Sequence, residues 1–311
     1  MKATQVKIVA LLVVLLSLSA CSPRRLIVNQ VANMMDTGMT AYEQDDDLQL
    51  IREAFPGNIK LLEALLENDP QNADILILLS RLYASYTLAY PEGDLDKAQF
   101  RAPGGSEEVD SLRTKVNRYY IKGAEYALRA LETRHPGCRE KLRNITSIEP
   151  FLSTMKKKDV PALFWYGFNL GAYINRNLDS VRAVSKAHIA EKAMKRVIAL
   201  DPEYYHGSAH LFLLIYYASR PPLLGGSLEA AEWHYRELKR IAGEDFLLAD
   251  LFYARFYLPL RQDRERYIQL MNRILTHSGG PESYRLFNAI AADRAEIYLA
   301  ATNELFDAPA K

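Results

Sequence analysis

A recurring helical pattern constrains the fold of this chain more than any other feature. In each occurrence a small or polar residue is followed by a large residue four positions later, an aliphatic residue three after that, and a helix breaker five further on. The occurrences are Asn58-Leu62-Leu65-Pro70, Ala124-Leu128-Leu131-Pro136, Ala190-Met194-Val197-Pro202, Ala231-Tyr235-Leu238-Gly243 and, in a degenerate form, Tyr267-Met271-Ile274-Gly279. The spacing places the first three residues of each set on one helical face, and the proline or glycine ends the helix.

The distance between these helices indicates a repeat. Pro70, Pro136 and Pro202 are 66 residues apart in each case, about twice the roughly 34-residue period of a tetratricopeptide repeat. The chain lacks sustained two-residue alternation and Asn-Gly or Asp-Gly turns, so strands are not expected. We predict an all-α fold, an α-α superhelix of tetratricopeptide-like helical hairpins over residues 51–311. A generic helical bundle is the alternative.

The start of the chain has the pattern of a targeting signal. Lys2 and Lys7 flank the start of an apolar run, Ile8–Leu18, which is too short to span a bilayer as a mature helix. Leu18-Ser19-Ala20-Cys21 follows, and this is the lipobox pattern of bacterial lipoproteins, in which small residues precede a cysteine that is lipidated on its sulfur. An ordinary secretory signal with a cysteine nearby is the alternative.

The lipobox divides the chain into three predicted regions. Residues 1–20 form a lipoprotein signal peptide, residues 21–50 form a lipidated N-terminus and tether anchored through Cys21, and residues 51–311 form the helical domain. Ser22 follows the cysteine, where many bacterial lipoproteins that stay in the inner membrane have an Asp. We therefore expect a periplasmic protein that is lipid-anchored to the outer membrane.

Charge and cysteine content exclude several classes of protein. Lys plus Arg number 39 against 38 Asp plus Glu, so no overall field attracts nucleic acid. With Cys21 lipidated, Cys138 is interpreted as an inert thiol near a helix end. His206 and His210 could share a helical face, but no third ligand accompanies them, and a structural role is favoured. Phosphate loops, dinucleotide fingerprints and G-x-S-x-G are absent. We predict no catalytic residue, no metal site and no cofactor.

Breakers and caps indicate how the segments between the repeats are built. Residues 90–110 hold two prolines and three glycines, which predicts a loop before a long helix. Asp159 is predicted to cap a helix that has Pro161 in its first turn and is apolar nearly all round over residues 162–173, so this helix should be buried or line a cavity. Ser227 is predicted to cap the helix Leu228–Ile241.

Two segments are more specific than the repeat. One is Ala162-Leu163-Phe164-Trp165-Tyr166-Gly167 in the apolar helix, and the other is the connection Arg220-Pro221-Pro222-Leu223-Leu224-Gly225-Gly226-Ser227. Together with the lipobox and the helical repeat, they resemble the TatT component family of TRAP transporters. The resemblance spans most of the mature chain and is strongest from about Val160 to Asn288.

The resemblance implies a function as well as a fold. It implies a periplasmic lipoprotein without enzymatic activity, an accessory component of a tripartite ATP-independent periplasmic transporter that docks the solute-binding subunit. It further implies a homo-oligomer, such as a trimer, with a pore or cleft through each subunit for organic-acid or hydrophobic ligands. The alternative is a tetratricopeptide-type envelope lipoprotein that scaffolds outer-membrane or cell-envelope assembly.

Four residues in the matching segments are candidates for lining a ligand cleft. Trp165 and Tyr216 would supply apolar walls, Asn169 a hydrogen bond, and Arg220 a partner for a carboxylate. The alternative for each is a structural role, which is core packing for the first three and a charge at a helix C-terminus for Arg220.

Overall fold

The computed structural model describes residues 23–306, and all regular structure in that range is helical. Sixteen α-helices follow one another there: α1 (Pro23–Glu43), α2 (Leu48–Leu66), α3 (Ala73–Ala89), α4 (Pro91–Arg101), α5 (Glu107–Arg134), α6 (Cys138–Arg143), α7 (Ile148–Ser153), α8 (Val160–Asn175), α9 (Val181–Val184), α10 (Ala187–Leu200), α11 (Tyr204–Ala218), α12 (Leu228–Ala242), α13 (Leu247–Phe256), α14 (Arg264–Thr276), α15 (Arg285–Ala300) and α16 (Thr302–Phe306). Successive long helices pack against one another, which confirms the predicted all-α, solenoid-like fold. No helix of residues 23–306 is both long and apolar enough to cross a membrane.

The five helices that carry the sequence pattern are α2, α5, α10, α12 and α14. They alternate with α3, α8, α11, α13 and α15. The first four of these pack against the pattern helices before and after them in the chain, and α15 packs against α14. Leu62, Met194 and Met271, the large residues of three occurrences, are fully buried at these contacts. The pattern therefore marks alternate helices of a stacked array.

The 66-residue spacing between the prolines reflects one helical hairpin with inserted helices, not two successive tetratricopeptide repeats. Between Pro70 and Pro136 the chain forms one helical hairpin, α3 and α5, with α4 inserted between its helices. Between Pro136 and Pro202 the hairpin is α8 and α10, and the short helices α6, α7 and α9 account for the additional length. The inserted helices, together with the 28-residue length of α5, thus give an interval near twice the tetratricopeptide period.

Residues 23–43, which fall within the predicted tether at residues 21–50, form helix α1. This helix packs on α3 and α15, and it buries Val28, Ala32 and Met39. These residues follow the spacing of one helical face, which is a local sequence signal for this helix. Residues 1–20 and Cys21 lie outside the described residues.

The predicted loop at residues 90–110 is also corrected, since most of it is helix α4. Pro91 occupies the first turn, where its missing N–H costs nothing, and Glu92 and Asp94 follow it near the positive end of the helix dipole. Gly93 lies against Arg294, and a Cβ at this position would be 2.9 Å from the guanidinium Nε. The proline and glycine that indicated a loop thus begin a helix and allow a close contact.

Helix α8 is buried, as its apolar sequence predicts, although its N-terminus differs from the prediction. The carboxylate of Asp159 accepts a hydrogen bond from the backbone N–H of Lys156 at 3.0 Å, and no side-chain hydrogen bond caps α8 itself. Gly123 lets α5 approach this helix, because a Cβ there would lie 2.3 Å from Oδ1 of the fully buried Asn169.

Helix α11 begins with a left-handed turn. Tyr205, His206 and Gly207 have φ angles of 49°, 59° and 72°, a conformation that is costly for residues with side chains. The turn separates the two histidines that could have shared a face. His206 packs on the aromatic rings around Phe246, whereas Nδ1 of His210 lies 3.0 Å from Nδ1 of His234.

Two local predictions are confirmed. The hydroxyl of Ser227 accepts a hydrogen bond from the backbone N–H of Ala230 at 3.1 Å and caps α12. Cys138 begins α6 and is fully buried, and burial raises the pKa of its thiol to about 12. The thiol is therefore protonated and unreactive near neutral pH.

The superhelix closes on itself. Helix α15, near the end of the chain, packs against α1, α2 and α4 near its start. Because α15 contacts these first helices, residues of α4, α8, α13 and α15 surround a common interior. The candidate site lies there.

Candidate ligand cavity

A cavity of about 480 Å³ occupies the interior where the superhelix closes. Its walls come from α3, α8, α11 and α13, with the final helices at one side. Its apolar lining includes Leu88, Phe168, Ala172, Leu211, Phe212, Ile215, Ala218, Phe252 and Phe256. The volume falls within the range of small-molecule sites, roughly 300–1,000 Å³, and such sites are mostly apolar with a few polar groups.

One wall of the cavity carries buried charges. Asp96 on α4 is 4% exposed, and its carboxylate accepts hydrogen bonds from Arg176, from Arg294 at 2.5 Å and from the hydroxyl of Tyr298 at 2.7 Å. Burial alone would raise the pKa of Asp96, but the two guanidinium groups hold this pKa well below its usual value. The carboxylate is therefore ionised at every physiological pH.

Glu92 completes this group of charges. Its carboxylate accepts hydrogen bonds from Nε of Arg176 at 2.9 Å and from the hydroxyl of Tyr120. We call Glu92, Asp96, Arg176 and Arg294 the ion cluster. Its two carboxylates and two guanidiniums balance, so the cluster presents no net charge to the cavity. The cluster joins α4, the end of α8 and α15, which meet where the superhelix closes, so removal of one member would leave a buried charge unpaired.

Arg255 on α13 is a further cation at the cavity wall. Its guanidinium lies over the rings of Phe100, Phe256 and Tyr298, with centroid distances of 5.8, 5.3 and 5.3 Å. It makes no ion pair within the described part of the chain. The aromatic contacts hold the charge in place and leave its hydrogen-bond donors available to a ligand.

A small enclosed space of about 40 Å³ continues the apolar lining deeper into the protein. It shares Leu88, Phe168 and Leu211 with the larger cavity. Trp165 and Tyr205 lie in its wall, with their ring centroids 4.9 Å apart. The left-handed turn of α11 therefore positions one of the rings that close this end.

The structure places two of the predicted ligand residues near this interior. Trp165 is 2% exposed and lines the small enclosed space rather than the larger cavity. Asn169 lies at the contact of α3, α5 and α8, where its amide donates to the carbonyl of Trp165 at 2.8 Å and to the hydroxyl of Ser80 at 3.1 Å. Asn169 lines neither space and joins helices instead.

The other two candidates lie at the end of α11. The guanidinium of Arg220 is 4.0 Å from the ring centroid of Tyr216 and donates to Oδ1 of Asn175 at 3.0 Å. Asn175 lines the cavity, whereas Tyr216 and Arg220 do not. These two residues fix the Arg-Pro-Pro connection next to the cavity. Gly226 in that connection is required sterically, because a Cβ there would lie 1.7 Å from the carbonyl oxygen of Arg220.

The charged residues of the site are not among those that the sequence predicts. Arg294 and Asp96 are 198 residues apart, and Arg176 and Asp96 are 80 apart, so no local motif joins them. Arg255 did carry a signal: it interrupts the aromatic and apolar segment Phe252-Tyr253-Ala254-Arg255-Phe256-Tyr257. A lone cation in such a segment indicates either a buried pair or a ligand contact.

The fold is a closed helical superhelix around a largely apolar cavity, with the cation of Arg255 fixed at the cavity wall. The family model of the TRAP transporter T-component matches residues 44–306, which is most of the chain. The chain belongs to this family, and the resemblance found in the sequence is confirmed. Family membership supports a role as an accessory component of a TRAP transporter.

A relative is found in Treponema pallidum (strain Nichols). This uncharacterized protein is 28% identical over 213 residues, which are 67% of this chain and 65% of the relative. The chain thus spans just under two thirds of the relative's length.

Proposed function

We propose that this protein is a non-enzymatic, lipid-anchored periplasmic component of a TRAP transporter that docks the solute-binding subunit and binds or passes the transported solute. The cavity beside Arg255 is the observation that carries the proposal, because it gives a family of transporter components a place for a solute. A scaffold for envelope assembly, which is the alternative that the sequence leaves open, would need no such cavity.

The lining points to an amphipathic carboxylate as the solute class. The ion cluster is neutral as a whole, so Arg255 supplies an uncompensated positive charge beside apolar walls. Glu304 also lines the cavity, but it is exposed on α16. A carboxylate could therefore bind the guanidinium of Arg255 while its hydrocarbon part displaces water from the side chains of α8 and α11.

Arg255→Gln should weaken the binding of decanoate at least tenfold. A charge-assisted hydrogen bond contributes about 1.5–3 kcal/mol, and glutamine removes the charge while keeping a polar side chain. Titration calorimetry on a fragment that begins at residue 22 would measure the dissociation constant. Arg236→Gln, at a guanidinium that is 73% exposed on α12, is the matched control and should bind as the parent does. Equal affinity of all three proteins for decanoate, or a preference for decanol, would contradict the carboxylate role.

Docking is tested by co-purification. A tagged fragment that begins after Cys21 should recover the solute-binding subunit of the transporter from a periplasmic extract, since the fragment contains every described helix. Recovery of outer-membrane assembly factors alone would favour the scaffold function and reject the transporter role.

The lipid anchor and its membrane are part of the same proposal. Acyl chains on Cys21 would hold the protein at the periplasmic face of the outer membrane, and Cys21→Ser would release it. When cells that express Cys21→Ser are fractionated, the protein should be found in the soluble periplasmic fraction instead of the membrane fraction. Continued membrane attachment would contradict the anchor.

A homo-oligomer, such as the trimer implied by the resemblance, belongs to this proposal as well.

A further inference from the structure

A second large groove lies on the opposite face of α8 from the ligand cavity, between α5 and the short helices α6 and α9. Its volume is about 780 Å³. Its floor is apolar and aromatic, with Leu128, Tyr166, Leu170 and Tyr173 from α5 and α8. Ile121 also lines it and is 50% exposed, so part of this apolar surface faces solvent.

The rim of the groove is strongly basic. Arg139 and Arg143 come from α6, Arg182 comes from α9, and Lys186 precedes α10. Glu125 is the single acidic residue in the lining, and it already accepts two hydrogen bonds from Arg139, at 2.6 and 3.0 Å.

Three rim cations are left without a counter-charge. Arg143, Arg182 and Lys186 are exposed and make no ion pair within residues 23–306. The whole chain has 39 basic and 38 acidic residues, so the excess of positive charge is local to the groove. Like charges around a partly apolar floor repel one another unless an anionic surface covers them.

We propose that this basic groove docks an acidic, amphipathic segment of a partner protein, with apolar side chains on the floor between α5 and α8 and carboxylates against the rim. The charge of the rim selects an acidic partner, and the exposed Ile121 provides an apolar contact of the kind found in protein interfaces. The inference rests on the proposed function only for the partner's identity, which would be the solute-binding subunit. The groove then holds that subunit on one side of α8 while the solute occupies the other.

A designed peptide tests the groove directly. The probe is a fluorescein-labelled amphipathic helix of Glu and Leu, and its counterpart has Lys in place of Glu. The full chain in a neutral sugar detergent should bind the Glu peptide and not the Lys peptide by fluorescence anisotropy. Reversing the three rim charges together, Arg143→Glu, Arg182→Glu and Lys186→Glu, should weaken binding of the Glu peptide at least tenfold and remove most of its salt dependence.

Two matched controls separate the groove from net charge and from general hydrophobicity. Reversal of Lys97, Lys156 and Lys158, which are exposed elsewhere, changes the net charge equally and should leave peptide affinity within about twofold of the parent. Ile121→Ala should weaken binding about threefold or more, whereas Leu61→Ala, at a residue 49% exposed on α2, should not.

Other outcomes would overturn the inference. Equal binding by the two reversed proteins, or no binding of the Glu peptide, rejects the groove as an acidic docking site. A change of oligomeric state on rim reversal, seen by sedimentation velocity, would assign the groove to a second copy of the chain. Rim-dependent binding to phosphatidylglycerol vesicles but not to the peptide would assign it to a membrane surface. If the peptide binds the rim but no solute-binding subunit co-purifies, the proposed function fails while the groove inference holds.

Discussion

Asp96→Asn should lower the free energy of unfolding by about 3–5 kcal/mol, the range seen when one member of a buried ion pair is removed. Asp96 lies between Arg176 and Arg294, and Arg294 is 1% exposed. An asparagine would keep the shape of the side chain and lose its charge, which leaves the guanidinium of Arg294 buried without a carboxylate. Urea denaturation followed by circular dichroism would measure the loss.

Asp94→Asn on the same helix is the matched control. Asp94 pairs with Arg52 at 2.5 Å, but the two side chains are 33% and 46% exposed, so solvent screens the pair. We expect a change below about 1 kcal/mol. The double variant Asp96→Asn/Arg294→Gln should lose less than the sum of its single changes, because it removes both charges of one pair. Equal losses for Asp94→Asn and Asp96→Asn would show that the ion cluster does not hold the closure.

The same cluster predicts a dependence on pH. The pKa of Asp96 is lower in the folded chain than the usual value near 3.9 that applies when the chain is unfolded. Its stabilisation is therefore complete above the unfolded pKa and is lost as pH falls towards the folded pKa. The stability difference between the parent and Asp96→Asn should be largest near neutral pH and should shrink below about pH 4 in acid titrations of unfolding.

The sequence could predict the helices of this fold because their signals are local. Apolar residues four and three positions apart placed Leu62, Met194 and Met271 in the core, and the breakers that follow them lie beyond the helix ends. The closure of the superhelix could not be predicted in this way. It brings together Asp96 and Arg294, which are 198 residues apart in the chain and look like ordinary surface residues in their own segments.

Local signals also explain why some predictions from the sequence were wrong. Pro91 and Gly93 are breakers in isolation, yet a proline in the first turn suits a helix and a glycine can make room for a neighbour. The burial of Trp165 can be predicted from its apolar segment. Whether it lines the larger cavity or the small enclosed space depends on residues that are distant in the sequence. Asn169 and Arg220 are polar residues in apolar surroundings. The side-chain amide of Asn169 donates to Ser80 and to the carbonyl of Trp165, and the guanidinium of Arg220 donates to the carbonyl of Tyr216 and to Asn175.

Ala172→Phe should abolish solute binding without unfolding the protein. Ala172 is half-buried on α8 and lines the cavity, so a phenyl ring at this position would occupy the space proposed for the hydrocarbon part of the ligand. At one hundred times its dissociation constant, decanoate should stabilise the parent by about 2.7 kcal/mol, a rise of about 4–5 °C in Tm for a domain of this size. Differential scanning fluorimetry should show that rise for the parent and less than about 1 °C for Ala172→Phe.

Ala64→Phe controls for the added ring, because Ala64 is exposed on α2, and it should keep the full decanoate response. The basic groove gives a second control, since Ala172→Phe leaves its rim unchanged and should bind the acidic peptide as the parent does. If decanoate stabilises Ala172→Phe as strongly as the parent, the ligand binds elsewhere and the cavity is not its site. If peptide binding falls together with decanoate binding, the two faces of α8 are coupled, because a ring that fills one face has altered the other.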